Sequence, residues 1–147
     1  SVALNDFEES YIERCVTLEV DPNLQLYWGD ENLLSRLFAN LLDNAFKYSN
    51  QNKHIVIHLI QEAKAVKITF FNESNPLKEK SLESIFNKFY RLDNVGDISG
   101  SGIGLFICHS IVSAHGGKIR AFNQYNGVCF EILLPIIKYP KQLQSEL

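Results

Sequence analysis

The stretch from Asp30 to Ser49, DENLLSRLFANLLDNAFKYS, limits the folds open to this chain more than any other. Leu33, Leu34, Leu37, Phe38, Leu41, Leu42, Ala45 and Phe46 recur at i, i+3, i+4 and i+7 behind Asp30, a good N-cap, which predicts a long amphipathic helix. At about 100° per residue, Asn40, Asn44 and Lys47 fall within roughly 60° of one another, on the border of the apolar stripe.

Two readings of that margin stand. It is a solvated helix face, or two amides and an ammonium point into a half-buried seam. Asparagine competes with its own backbone in a helix, so two of them one turn apart need a reason. Neutral amide oxygens can complete the shell of a magnesium ion whose other ligands are phosphate oxygens and water. Lys47, one turn further along, then reaches a phosphate as a point charge.

The 147 residues, 46% hydrophobic, suit one domain with a sizeable core. Seventeen acidic against fourteen basic side chains give a net charge of -3, and no run of Lys or Arg interleaves with aromatics, which disfavours nucleic acid as a partner. Cys15, Cys108 and Cys129 are scattered through apolar stretches without metal spacing and read as reduced core residues of a cytosolic domain. No apolar run approaches the roughly 20 residues of a membrane span, and no signal peptide opens the chain. Methionine is absent, so Ser1 reads as the start of an excised fragment, with any membrane segment outside it.

Residues 1–14 read as a linker or the end of an upstream helical domain, 15–135 as the folded domain and 136–147 as a tail. Cys15 to Val20 alternates, Asp21-Pro22-Asn23 is a turn and Leu24 to Trp28 a second extended piece, which predicts a hairpin feeding the helix. His54 to Gln61 and Ala65 to Phe71 form an antiparallel pair; His54 and His58 share one face of it, a spacing more often structural than metal-binding. Lys80 to Tyr90 has a helical period through Leu82, Ile85, Phe86 and Phe89, and Arg91 to Ser101 is a polar, mobile loop. Gly102 to His115 is a helix stopped by Gly116-Gly117. Lys118 to Asn123 and Val128 to Pro135 are strands joined through Asn126-Gly127. Paired strands with helices between them predict an α+β fold, a two-layer α/β sandwich whose mixed, mostly antiparallel sheet is covered on one face.

Gly100-Ser101-Gly102-Ile103-Gly104-Leu105 stands between the polar loop and a helix start, where unpaired N–H groups and the helix dipole favour anions and glycine lets a phosphate come close. A plain flexible loop ahead of a helix has the same look. No GK[ST] follows and no strand directly precedes it, so neither the Walker pattern nor the dinucleotide fingerprint is present.

Along the chain stand N-L-L-D-N-A-F-K-Y (Asn40 to Tyr48), a strand-end turn, Ile85-Phe86-Asn87-Lys88-Phe89-Tyr90-Arg91, GSGIGL and His115-Gly116-Gly117. Over about residues 15 to 135 this series resembles, in order and spacing, the boxes of the catalytic ATP-binding domain of sensor histidine kinases, in the Bergerat-type group that includes type II topoisomerases and Hsp90 chaperones. GGKIRAFN followed by GVCFEILLP is similar to the Kdp-type potassium-responsive sensor kinases. The resemblance implies ATP and Mg2+ as cofactors, with Asn40 and Asn44 holding magnesium and Lys47 and Arg91 meeting phosphates. It puts Tyr48 at the adenine pocket and Asn72, Ser74 and Leu77 in the base-recognition turn. Arg91 to Ser101 becomes the ATP lid, anchored by Phe86 and Phe89 at its start and by Gly100, Gly102 and Gly104 at its end, with Ser101, Ile103 and Leu105 beside them. Phe86 and Phe89 read equally well as core aromatics.

Two departures matter. The family's turn has an Asp followed by glycines, whereas this chain has Asn72-Glu73-Ser74-Asn75-Pro76-Leu77, and a neutral acceptor bonds the adenine amino group at about half the strength of a charged one. Asn40 stands where the ATPase relatives carry a Glu that activates water, and an amide cannot take that proton, which favours a kinase. None of His54, His58, His109 and His115 is followed by the Glu and Pro of the family's phosphoacceptor helix. The resemblance therefore implies a monomeric, cytoplasmic fragment of a protein-histidine kinase, with its parent in a bacterial inner membrane. It would transfer the γ-phosphoryl group of ATP to a histidine on an upstream dimerisation domain, with a response-regulator receiver domain as downstream partner. A serine kinase or anti-sigma module, or a nucleotide-binding pseudokinase, is the alternative.

Overall fold

The computed structural model describes residues 16–24, 29–48 (of Tyr48 the backbone only), 54–88 and 103–136. In chain order these form β1 (Val16–Val20), α1 (Glu31–Tyr48), β2 (Ile55–Gln61), β3 (Ala65–Glu73), α2 (Glu79–Ser84), α3 (Gly104–Ala114), β4 (Lys118–Gln124) and β5 (Gly127–Pro135). The strands lie in the order β1-β2-β3-β5-β4. β1 and β2 are parallel and the other neighbours antiparallel. A parallel pair cannot be joined by a tight turn; it needs a crossover, and α1 supplies it.

Alternation sorts the strands into two faces. Ile57, Phe70, Phe130 and Ala121 are cross-strand partners in one row, with Leu59, Ile68, Ile132 and Ile119 in the next. The helices cover these rows. Phe38 of α1 meets Phe70 with ring centroids 6.0 Å apart. Leu37 and Leu41 of α1 and Cys108 and Val112 of α3, together with Phe70 and Ile132, are no more than 1% exposed. The buried stripe of α1 is the one the spacing marks: Leu37, Phe38, Leu41, Leu42 and Ala45 are buried, and Leu33, Leu34 and Phe46 pack at its edges. Each large side chain so buried contributes about 1.5–3 kcal/mol, far more than helix propensity does. Cys108 and Cys129 are free and buried, as expected, and desolvation pushes their thiols up to about 12 and about 11.

Two local expectations change, and a third falls mostly outside the described residues. The strand partner foreseen for β1 at Leu24 to Trp28 falls mostly on residues 25–28, outside the described residues; the neighbour β1 has is β2, 39 residues on in register, as Val16 pairs with Ile55. α2 ends at Ser84 instead of running to Tyr90, because the Ser84 carbonyl accepts the Asn87 N–H at 2.9 Å, an i→i+3 bond that tightens the chain out of α geometry. In the β4–β5 hairpin the loop residues are Tyr125-Asn126, one position earlier than expected, and only Asn126 has positive φ (69°). Gly127 is a strand residue, and its reason is crowding: a Cβ there would stand 2.2 Å from the Asn72 carbonyl oxygen. The glycine stop of α3 is as expected, with Gly116 at φ 72° and the N–H groups of Gly116 and Gly117 bonded to the Ser113 and Val112 carbonyls.

Asp21 locks β1 onto the far end of β2. Its N–H donates to the Leu59 carbonyl at 2.8 Å, its Oδ2 accepts the Gln61 N–H at 3.0 Å and its Oδ1 the Asn23 N–H at 2.9 Å. The Asn23 N–H, then that of Gln61, holds the carboxyl below its ordinary 3.8. A depressed folded value means that the carboxylate's contribution is present above 3.8 and disappears as pH falls through the folded value. Asp21→Asn is therefore expected to melt below the wild type at neutral pH, with the gap closing on acidification. A gap unchanged by pH in thermal melts would show that the two bonds are not charge-assisted.

Candidate functional site

α1 and α3 run antiparallel. At one end the Asp30 N–H donates to His115 Nε2 at 3.2 Å, and His115 Nδ1 faces the Ile111 carbonyl at 2.8 Å. Further along, Cys108 Sγ lies 3.9 Å from the Leu37 carbonyl. The step from 30 to 37 on α1 matches the step from 115 to 108 on α3, so one more turn brings Leu41 level with Gly104. Along α1, Asn40, Asn44 and Lys47 are thus at and just beyond the level of the first turn of α3.

That turn has unpaired N–H groups by construction. Ile103 is its N-cap and makes no side-chain cap bond. A Cβ on Gly104 would meet nothing within 4 Å, so packing does not call for glycine there. Asn40 and Asn44 are half-buried, and Asn40 Nδ2 is buried with no hydrogen-bond partner. Lys47 Nζ pairs with Asp43 Oδ2 at 3.0 Å. Both partners are substantially exposed, and such a pair is worth about 1 kcal/mol at most, so a phosphate can replace it.

Asn72, the penultimate residue of β3, is on the helix-covered face, in the row Ile55, Asn72, Val128 and Asn123. At 3% exposed it is the one buried polar side chain among the described residues, and its Oδ1 has no partner. An unsatisfied buried acceptor costs about 1–3 kcal/mol, which a ligand donor would recover. Ser74 is bound to the hairpin through its N–H, which donates to the Asn126 carbonyl at 3.2 Å, while its hydroxyl donates to the Asn75 carbonyl at 3.3 Å. Leu77 exchanges two hydrogen bonds with the Asn123 side chain.

Other expected site residues separate from this group. Phe86 packs edge-on against Phe130 at 6.1 Å and beside His109, which fits its reading as a packing aromatic. With Glu83, Asn87, Lys88, Phe106, His109 and Ile119 it lines a groove of about 340 Å3 that includes none of Asn40, Asn44, Lys47 or Asn72. Leu105 packs on the core and Ile103 is half-buried. The Tyr48 side chain and Phe89, Arg91, Gly100, Ser101 and Gly102 lie outside the described residues. Sequence reasoning missed the His115–Asp30 and Asn123–Leu77 bonds. They join residues 85 and 46 positions apart, and no local pattern signals either.

Residues 29–138 match the family described as histidine kinase-, DNA gyrase B- and HSP90-like ATPases. The chain belongs to this family. Among its members the signal transduction histidine-protein kinase BaeS of Escherichia coli is 33% identical over 99% of this chain and 31% of its own length. The sensor protein KdpD of the same species is 35% identical over 82% of this chain and 14% of its own. The chain thus spans less than a third of these relatives, and the Kdp type is one of several that it resembles. The catalytic domain of the histidine kinase ThkA superposes with a TM-score of 0.77 at 28% identity, covering 91% of this chain and 88% of that one. A structure of ThkA in complex with the response regulator TrrA matches at 0.74 and 27% identity, over 92% of this chain and 38% of that one. The Bergerat-type α+β fold is therefore shared across this kinase branch of the family.

The two sides of α1 make opposite demands. Leu41→Ala should lower unfolding free energy by about 2–5 kcal/mol through lost burial and a cavity. Asn44→Ala, on the polar margin, should change it by about 1 kcal/mol or less. Denaturant titrations of both variants check this, and a large loss for Asn44→Ala would make that residue part of the packing.

Proposed function

We propose that this chain is the ATP-binding catalytic domain of a bacterial two-component sensor histidine kinase, passing the γ-phosphoryl group of ATP to a histidine on an upstream dimerisation domain. The observation that carries this reading is the pair of buried, unpartnered amide atoms, Asn40 Nδ2 on α1 and Asn72 Oδ1 on β3, Asn72 being the one buried polar side chain among the described residues. Asn72 offers an acceptor to the adenine amino group. Amide ends can exchange, so Asn40 and Asn44 can turn oxygens outward, the donor type that suits magnesium on a phosphate. Magnesium, when bound, neutralises charge on the phosphates. Lys47 adds a point charge, and the first N–H groups of α3 take phosphate oxygens.

The protein's task in such a transfer is positioning and charge neutralisation. The β,γ P–O bond breaks, a P–N bond to the acceptor imidazole forms, and ADP leaves. Asn40 cannot take a proton from water, so hydrolysis has no general base at that position. The names of BaeS and ThkA support the histidine as acceptor, and the ThkA–TrrA complex supports a response regulator as partner. The domain would work on the cytoplasmic side of a membrane-anchored parent; no helix among the described residues is long and apolar enough to cross a membrane.

The isolated chain should be a monomer that binds ATP with magnesium, releases phosphate slowly and does not phosphorylate itself. Asn44→Ala should abolish the magnesium-dependent part of binding. Rapid phosphate release that Asn40→Ala removes would overturn the kinase reading. A second test concerns the base. Asn72 can present a donor or an acceptor, whereas Asp only accepts. Asn72→Asp should therefore sharpen preference for ATP over GTP several-fold, since charged and neutral bonds differ by about 1 kcal/mol. Equal selectivity in competition binding would mean that Asn72 does not touch the base.

A further inference from the structure

Asn123 lies on the edge strand β4, opposite Val128, in the row that also holds Asn72. Its side chain acts as a strand backbone would. Oδ1 accepts the Leu77 N–H at 2.9 Å, and Nδ2 donates to the Leu77 carbonyl at 2.8 Å. Leu77 belongs to the irregular segment 74–78 that leads from Asn72 to α2, and its side chain packs against the core.

The segment has little of its own to fix its shape. It contains no glycine, and Pro76 restricts Asn75 but lacks an N–H to donate. The β4–β5 hairpin holds it at two points instead: the Asn126 carbonyl takes the Ser74 N–H, and Asn123 takes both backbone groups of Leu77. A side-chain amide offers a donor and an acceptor in one plane. Aspartate would turn a second oxygen toward the Leu77 carbonyl, and serine could make only one of the bonds well.

We propose that Asn123 is a positioning residue for nucleotide-base recognition: by fixing the Leu77 peptide it holds the segment after Asn72 in the shape that closes around an adenine. This rests on the reading of Asn72 as the base acceptor. Asn123 touches no phosphate in that arrangement, so its effect is confined to ligands that carry a base.

The test uses the whole chain with Asn123→Ala and Asn123→Ser, competing ATP and inorganic triphosphate, each with magnesium, against a fluorescent ATP analogue. Hydrogen exchange at the Leu77 amide shows whether the clamp has opened. Asn123→Ala, which removes both the acceptor and the donor, should weaken ATP about tenfold, or about 1.4 kcal/mol, with triphosphate unchanged and Leu77 deprotected; Asn123→Ser should fall between. With Leu77 deprotected, an unchanged ATP affinity, or equal losses for both ligands, overturns the proposal. So does a Leu77 amide that stays protected in Asn123→Ala. Asn72→Ala is measured in parallel. If it weakens ATP while Asn123→Ala does not, only the positioning role fails; if it leaves ATP unchanged, the base-site reading fails with it.

Discussion

Burial of the α1 leucine stripe against α3 and the middle strands is the interaction on which the rest of this structure depends. Leu37 and Leu41 meet Cys108, Val112, Phe70 and Ile132 in a layer with almost no solvent contact. Because that contact is close-packed, it fixes the antiparallel register of the two helices as well as their association. Register places the functional groups. A slip of one turn along α1 would carry Asn40 and Asn44 away from the first turn of α3, with no change in the sequence of either element. The Asp30–His115 bond pins the opposite end, joining the N-cap of one helix to the C-cap of the other.

Against this apolar layer, the polar groups left without partners are informative. Among the described residues every buried side chain but Asn72 is apolar, and two buried amide atoms, Asn72 Oδ1 and Asn40 Nδ2 on the half-buried margin of α1, are unsatisfied, a cost with no return in the protein alone. Around Asn72 the surrounding backbone is arranged with some precision. The Asn72 carbonyl presses on Gly127, and the chain that follows is tied to the β4–β5 hairpin through Ser74 and Leu77. With no glycine of its own, the segment after Asn72 is shaped by an adjacent hairpin and a proline.

The apolar period of Asp30 to Ser49, the alternation of β2, β3 and β5 and the Gly116-Gly117 stop were legible because each is written in neighbouring residues. Spacing alone puts Asn40, Asn44 and Lys47 on one margin, and the order of boxes from Asn40 to Gly117 pointed to the family that residues 29–138 match. The tertiary structure alone decided the parallel pairing of β1 with β2, which a local hairpin reading could not foresee. It also decided the role of Gly127, set by the Asn72 carbonyl and not by the turn, and the place of Phe86 among packing aromatics. It joined Asn123 to Leu77 and His115 to Asp30. The physical reason is common to all of these. Propensity and periodicity act over a few residues, while hydrogen-bond partners and close approaches across a sheet are set by which distant segments the buried face brings together.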